Sequence, residues 1–162
     1  MNPELWGAIG YAIALVGFMS RADAFLKVAV IIACTINAFY FFAIDMHITA
    51  AVNIITALRI GVTFIFKPFW LGMFFILLSL STPFWLSSAD WLSVAASVLG
   101  TIAVFWTSGL QFRWLMLATT ACLFLNAWQF SAWSGMVGEG LILLVSMYRI
   151  VYWNPPASVE TV

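Results

Sequence analysis

Few side chains in this sequence can do chemistry, and they recur at helical spacing. Cys34, Asn37 and Tyr40 follow one another at i, i+3 and i+6, which places them along one face of a helix. Cys122, Asn126, Gln129 and Trp133 repeat the pattern with Trp128 beside them, and Thr49, Asn53, Thr56 and Thr63 form a third stripe. Amides and hydroxyls offer donors and acceptors together, which suits a neutral hydrogen-bonding solute better than an ion. Asn37, Tyr40, Asn53, Thr56, Asn126 and Gln129 are therefore the candidate solute contacts, and Trp128 is a ring that could stack on the solute. The same asparagines have a structural use, knitting neighbouring helices together at about 0.6–2 kcal/mol per bond.

Three charged residues stand near these stripes. Arg59 and Arg149 could hold an anionic or carboxylate-bearing group; equally, they could anchor a cytoplasmic interface, Arg59 by snorkelling towards Lys67. Glu139 could be a proton-carrying carboxylate, or a solvated residue near the outer end of its segment. Other chemistries lack their parts. His47, beside Asp45, is the only histidine, so no metal site is expected, and no base stands near the central serines and threonines to make an enzyme. Phosphate-cradling glycine motifs are absent, and no cofactor is implied. Cys34 and Cys122 lie in apolar stretches without CxxC spacing and read as buried small residues.

The elements that must position these residues are helices in lipid. Of 162 residues, 65% are hydrophobic and 7% charged, far from the roughly one-quarter charge of soluble domains. With a formal net charge of zero and no basic run, nucleic acid is excluded as a partner. The expected partners are the lipid bilayer and a small polar solute, with a homo-oligomer allowed.

Charges, prolines and small polar clusters divide the chain into seven apolar segments, at about 5–20, 24–44, 48–66, 69–86, 91–108, 112–131 and 135–153, each near the length needed to cross a bilayer. The amino-terminal stretch lacks a basic leader and reads as the first span. Arg21, Lys27, Lys67, Arg113 and Arg149 fall at alternate connections, while Glu4, Asp45, Asp90 and Glu139 fall towards the opposite face. The positive-inside bias then puts the amino-terminal end outside and the carboxyl-terminal end, with a short tail at 154–162, in the cytoplasm. Trp6, Trp85, Trp91 and Trp133 make an outer aromatic belt and Trp70, Trp106, Trp114 and Trp153 an inner one, leaving Trp128 inside its span. Gly10, Ala14 and Gly17, and Ser93, Ser97 and Gly100, read as small-residue packing stripes.

A shift of 89–90 residues superposes Gly10 on Gly100, Asn37 on Asn126, Phe41 on Phe130 and Arg59-Ile60 on Arg149-Ile150. Two three-span units in one orientation need an intervening crossing, which 69–86 supplies. The expected fold is thus an all-α polytopic membrane protein of seven transmembrane helices: repeat one at about 5–66, a linker helix at about 69–86, and repeat two at about 91–153. Parallel repeats about an axis along the membrane normal are a transporter architecture.

In this plan the sequence resembles the SWEET and PQ-loop superfamily. At finer scale it resembles the bacterial inner-membrane proteins of the YgjV family, through Asn53-Ile-Ile-Thr-Ala-Leu-Arg59, Leu99-Gly100-Thr101-Ile102, Asn126-Ala-Trp128 and Glu139-Gly140…Arg149-Ile150. The resemblance runs over about residues 5–153 and implies an inner-membrane address. The superfamily's mid-span prolines and Pro-Gln pair are missing: Pro3, Pro68, Pro83, Pro155 and Pro156 sit at ends and tails. The expected activity is movement of a small solute by alternating access between two three-helix bundles. The alternative is a non-transporting receptor, chaperone or accessory subunit.

Overall fold

The computed structural model describes residues 3–19, 23–66, 68–85, 90–107 and 109–152. Arg21, Lys67, Ser87 to Ala89, Trp153, the tail at 154–162 and the side chain of Trp85 lie outside the described residues. Seven helices occupy the seven apolar segments: α1 (Pro3–Met19), α2 (Asp23–Ala43), α3 (His47–Val62), α4 (Phe69–Trp85), α5 (Trp91–Trp106), α6 (Gly109–Gln129) and α7 (Trp133–Val151). The expected limits shift most at α3, which gives way to a turn at 63–65, and at α6, which begins at Gly109 and takes Gln111 and Arg113 into its first turns.

Phe25–Ala43 and Trp133–Val151, of 19 residues each, are long and apolar enough to cross a membrane by themselves. Pro3–Met19, His47–Val62, Phe69–Phe84 and Trp91–Trp106 are apolar but shorter. Pro3 opens α1, where a missing N–H costs nothing. Pro83 lies in the last turn of α4, and the Ser79 carbonyl that it cannot serve accepts a bond from the Thr82 hydroxyl at 2.7 Å.

Six helices close into a ring. Each packs on the next in the order α1, α2, α3, α5, α6, α7 and back to α1, while α4 lies outside against α3 and α5. Close approach depends on missing side chains at the seams. A Cβ on Gly138 of α7 would sit 2.1 Å from Cγ of Tyr11 in α1, and one on Gly10 would sit 2.1 Å from Oδ1 of Asn37.

The distribution of side chains is inverted relative to a water-soluble bundle. Phe39, Phe42, Leu77, Phe84 and Leu144 are exposed, whereas Asn37, Thr49, Arg59, Ser93, Ser97, Asn126 and Glu139 are buried. That is the arrangement lipid selects, because polar groups find partners only inside the bundle. Trp6, Trp91 and Trp133 are exposed at the end that carries Glu4 and Asp90, and Trp70 and Trp114 at the opposite end. Trp106 is instead packed against Gly72 and Phe69. The glycine stripe of α1 is buried as expected.

The α2–α3 and α6–α7 turns share one backbone design. Asp45 (φ 60°) and Ser131 (φ 53°) take the left-handed conformation just past a helix. Met46 N–H bonds the Phe41 carbonyl and Ala132 N–H the Ala127 carbonyl, both at 2.9 Å. Asp45 N–H bonds Phe42 and Ser131 N–H bonds Trp128, at 3.3 and 3.2 Å. These are two Schellman caps with matching bonds, 86 residues apart.

Candidate functional site

A cavity of about 100 Å³ lies at the centre of the ring, and every ring helix contributes to its wall, whereas α4 does not. Its polar lining comes from Tyr11 of α1, Cys34 and Asn37 of α2, Asn53, Thr56 and Arg59 of α3, Ser97 of α5, Thr119 and Thr120 of α6, and Glu139 of α7. Space of that size accommodates several waters or a small solute. Helical periodicity explains the α3 contribution: Val52, Asn53, Thr56, Arg59 and Ile60 keep to one face over two turns.

Arg59 is 3% exposed and does not snorkel. Its Nη1 donates to the Ser97 carbonyl at 2.7 Å and to Thr101 Oγ1 at 2.6 Å, and Nη2 donates to Thr56 Oγ1 at 3.4 Å. Nε is buried without a partner. Gly100 gives the guanidinium its room, since a Cβ there would lie 2.9 Å from Nη2. The Ser93, Ser97 and Gly100 stripe, expected to serve packing alone, is therefore a polar surface for α3 and α4. Ser97 Oγ also lies 2.7 Å from Ser79 Oγ.

Glu139, one turn and a half into α7, is 7% exposed and lines the same cavity, with the Tyr11 hydroxyl directed at it. It is not a solvated outer residue. Arg59 and Glu139 make no ion pair with each other among the described residues, although Cys34 lies within electrostatic reach of both. Asn37, 4% exposed, leaves its Oδ1 unpaired against Gly10. Asn53 spends its Nδ2 on the Thr49 carbonyl one turn back, at 2.9 Å.

Of the residues expected to contact a solute or carry charge, Asn37, Asn53, Thr56, Arg59 and Glu139 come together here, and five others do not. Tyr40, fully buried near the acidic end, donates to Glu4 at 3.3 and 3.4 Å, and Glu4 also accepts from the Ser134 N–H at 3.0 Å. Asn126 donates to Thr49 Oγ1 at 3.1 Å in a second buried network. There Thr49 donates to Asp90 Oδ2 at 3.1 Å and meets Ser93 Oγ at 2.8 Å, which obliges Ser93 to be the donor. Burial pushes the Asp90 carboxyl above its usual range, against the bonds from Thr49.

Trp128 and Gln129 are exposed at the end of α6, so Trp128 belongs with the outer tryptophans rather than inside a span. Arg149 donates to the Met19 carbonyl, closing the carboxyl end of α1 against α7.

Sequence reasoning missed Tyr11, Thr119 and Thr120. Tyr11 announces itself only through its packing on Gly138, a contact between distant segments. Thr119 and Thr120 bond carbonyls of their own helix, which hides them among ordinary helical threonines. Cys34 and Cys122 are free thiols and only partly buried, Cys34 because it borders the cavity. His47 Nε2 is 3.9 Å from Asp45 Oδ1, and no group of three metal-ligating side chains occurs among the described residues.

An all-helical bundle with an apolar exterior and a charged, hydroxyl-lined interior is the form of an integral membrane protein. The chain matches the Imp-YgjV family, described as bacterial inner membrane protein, over residues 1–154, and it belongs to that family. Its localisation is accordingly the bacterial inner membrane. It is similar to the inner membrane protein YgjV of Escherichia coli (strain K12), with 24% identity over 155 residues covering 91% of this chain and 82% of that one. No solved structure matches it.

Proposed function

We propose that this protein moves a small polar solute across the inner membrane, with the central cavity as its binding site. The observation that carries the reading is the cavity wall. All six ring helices meet there, and they bring Arg59, Glu139, Asn37 and Asn53 to one space in the middle of the bundle. Intramembrane charges of this kind are costly and characteristically mark solute or ion paths.

In this reading α1–α3 and α5–α7 are two repeats in parallel orientation, and α4 is the extra crossing that lets them face the same way, as in SWEET-like proteins. The paired Schellman turns support the duplication at a register of 86 residues rather than 89–90, which aligns Glu139 with Asn53 and removes the pairing of Arg59 with Arg149. The seams between repeats, α1 on α7 and α3 on α5, are related by the same exchange of halves. Rocking one repeat against the other would break Glu4–Ser134 and Thr49–Asp90 at one end and Arg149–Met19 at the other, so these bonds are the natural gates. Basic residues at the second end make it cytoplasmic. Helices of 16–17 residues rise only about 24–26 Å, so the flanking turns and local thinning of the bilayer complete their crossings.

The test is uptake of a panel of radiolabelled amino acids, polyols and short organic acids into proteoliposomes containing the purified full chain, with Asn37→Ala and Glu139→Gln alongside. Saturable uptake of one class, lowered at least tenfold by both substitutions, supports the reading; no uptake of any solute defeats it. A non-transporting membrane protein is the second reading, favoured by the Thr49–Asp90–Ser93–Asn126 network, in which polar groups bond one another across helices while Asp90 Oδ1 and Asn126 Oδ1 keep no partner. It predicts an unchanged flux baseline in every arm.

A further inference from the structure

The cavity brings a guanidinium and a carboxyl group together without their meeting, and the way each is held says what would satisfy both. On Arg59 the two hydrogens of Nη1 are spent on Ser97 and Thr101, each at a short distance, while Nη2 has only the 3.4 Å contact with Thr56 and Nε has no partner. Nε and Nη2 share one edge of the guanidinium, and the protein leaves the hydrogen-bonding capacity of that edge largely unused, with Nε enclosed and Nη2 close against Gly100. No carboxylate of the described residues occupies it. A guanidinium this deeply buried without a counter-charge is a strong anion site, because little water competes for it.

Glu139 is the complementary group. An ionised carboxylate is acceptor-only, with about four lone-pair directions, and Tyr11 addresses it from one side. Asn37 also borders the cavity, with its unpaired Oδ1 turned against Gly10 of α1. Glu139 stands six residues past the start of α7 and Arg59 twelve past the start of α3, and both helices start at the same end, so their Cα atoms are offset by about 9 Å along the bundle. The donors lie towards the basic end and the acceptors towards the acidic end.

We infer that the solute is a zwitterion with separated charges, its carboxylate on Arg59 and its ammonium on Glu139. This rests on the cavity being a solute site. Such a ligand offers a counter-charge to both groups at once, which neither an anion, nor a cation, nor a neutral polyol can do. Because Arg59 and Glu139 do not meet and their backbones are staggered along the bundle, a ligand that bridges them is favoured to carry its charges apart, as in an ω-amino acid rather than an α-amino acid.

The test uses the wild-type full chain in proteoliposomes. Glycine, 3-aminopropanoate, 4-aminobutyrate and 6-aminohexanoate are compared by calorimetric binding and counterflow with butyrate, butylamine and butyramide. The expected result is an optimum in the series beyond glycine, bound at least tenfold more tightly than each analogue lacking one charge. Glu139→Gln should erase the preference for the ammonium and Arg59→Lys should weaken carboxylate-bearing ligands at least tenfold; the wild-type comparison stands alone if either variant folds poorly. Butyramide or another neutral solute bound as well as the zwitterions overturns the inference and leaves the transport reading intact. If no solute of any class binds or moves, both fail.

Discussion

The seam between α1 and α7 depends on a single missing methyl group, which makes Gly138→Ala a sharp perturbation. The added Cβ would stand 2.1 Å from Cγ, 2.4 Å from Cδ1 and 2.6 Å from Cβ of Tyr11. Those atoms are the root of the side chain, so rotating the ring gives no relief, and restoring ordinary carbon contact requires the helices to part by about 1.4 Å or more. Overpacking of this kind costs about 1–3 kcal/mol. The same separation stretches the 3.0 Å bond from Ser134 N–H to Glu4 one turn away, and a bond to a charged group contributes about 1.5–3 kcal/mol. Alanine recovers about 1 kcal/mol through its better helix propensity. The expected net loss is about 2–4 kcal/mol. Gly61→Ala is the control: nothing lies within 4 Å of its Cβ position, so the same chemical change should stabilise by about 0.5–1 kcal/mol. Equilibrium unfolding of the purified full chain in mixed micelles, followed by tryptophan fluorescence, measures both. A Gly138→Ala protein as stable as the wild type would refute the close α1–α7 contact and, with it, the placement of Tyr11 beside Glu139.

Other expectations follow from the buried networks and the charge distribution. Thr49→Val preserves shape but strips the hydroxyl that serves Asp90, Ser93 and Asn126, and should cost about 3 kcal/mol in the same titration; a loss under 1 kcal/mol would argue against the network. Because burial raises the Asp90 carboxyl, its protonated form is favoured in the folded state. Its stabilising contribution is therefore full below the ordinary carboxylate value and is lost as pH rises through the raised one. The stability advantage of wild type over Asp90→Asn should accordingly shrink as pH increases from acid to neutral, and a pH-independent difference would contradict this. Sidedness is accessible to labelling in a background with serine at Cys34 and Cys122. An impermeant maleimide should reach Phe130→Cys in intact spheroplasts, and Ile65→Cys only after permeabilisation. The opposite pattern would reverse the assigned orientation, and labelling of both from the same side would refute the crossings between them.

Seven helices and their limits could be read from the chain because hydropathy and its interruptions act locally: a turn forms where Asp45, Ser131 or Pro68 interrupts an apolar run, whatever the neighbours are. The segregation of basic and acidic residues to opposite ends is likewise a property of order along the chain. Which way each helix turns is another matter. Periodicity says that Cys34, Asn37 and Tyr40 share a stripe, yet Asn37 borders the cavity while Tyr40, one turn further, closes a seam on Glu4. Asn126 and Trp128 stand two residues apart at the end of α6, and packing sends the first into the Thr49 network and the second outward. In a soluble bundle, the contrast between a wet side and a dry side would have told these faces apart. Here lipid and interior are both apolar, so that contrast vanishes. Only the contacts between distant segments, such as Tyr11 on Gly138 and Arg59 on Gly100, decide which polar groups meet at the centre.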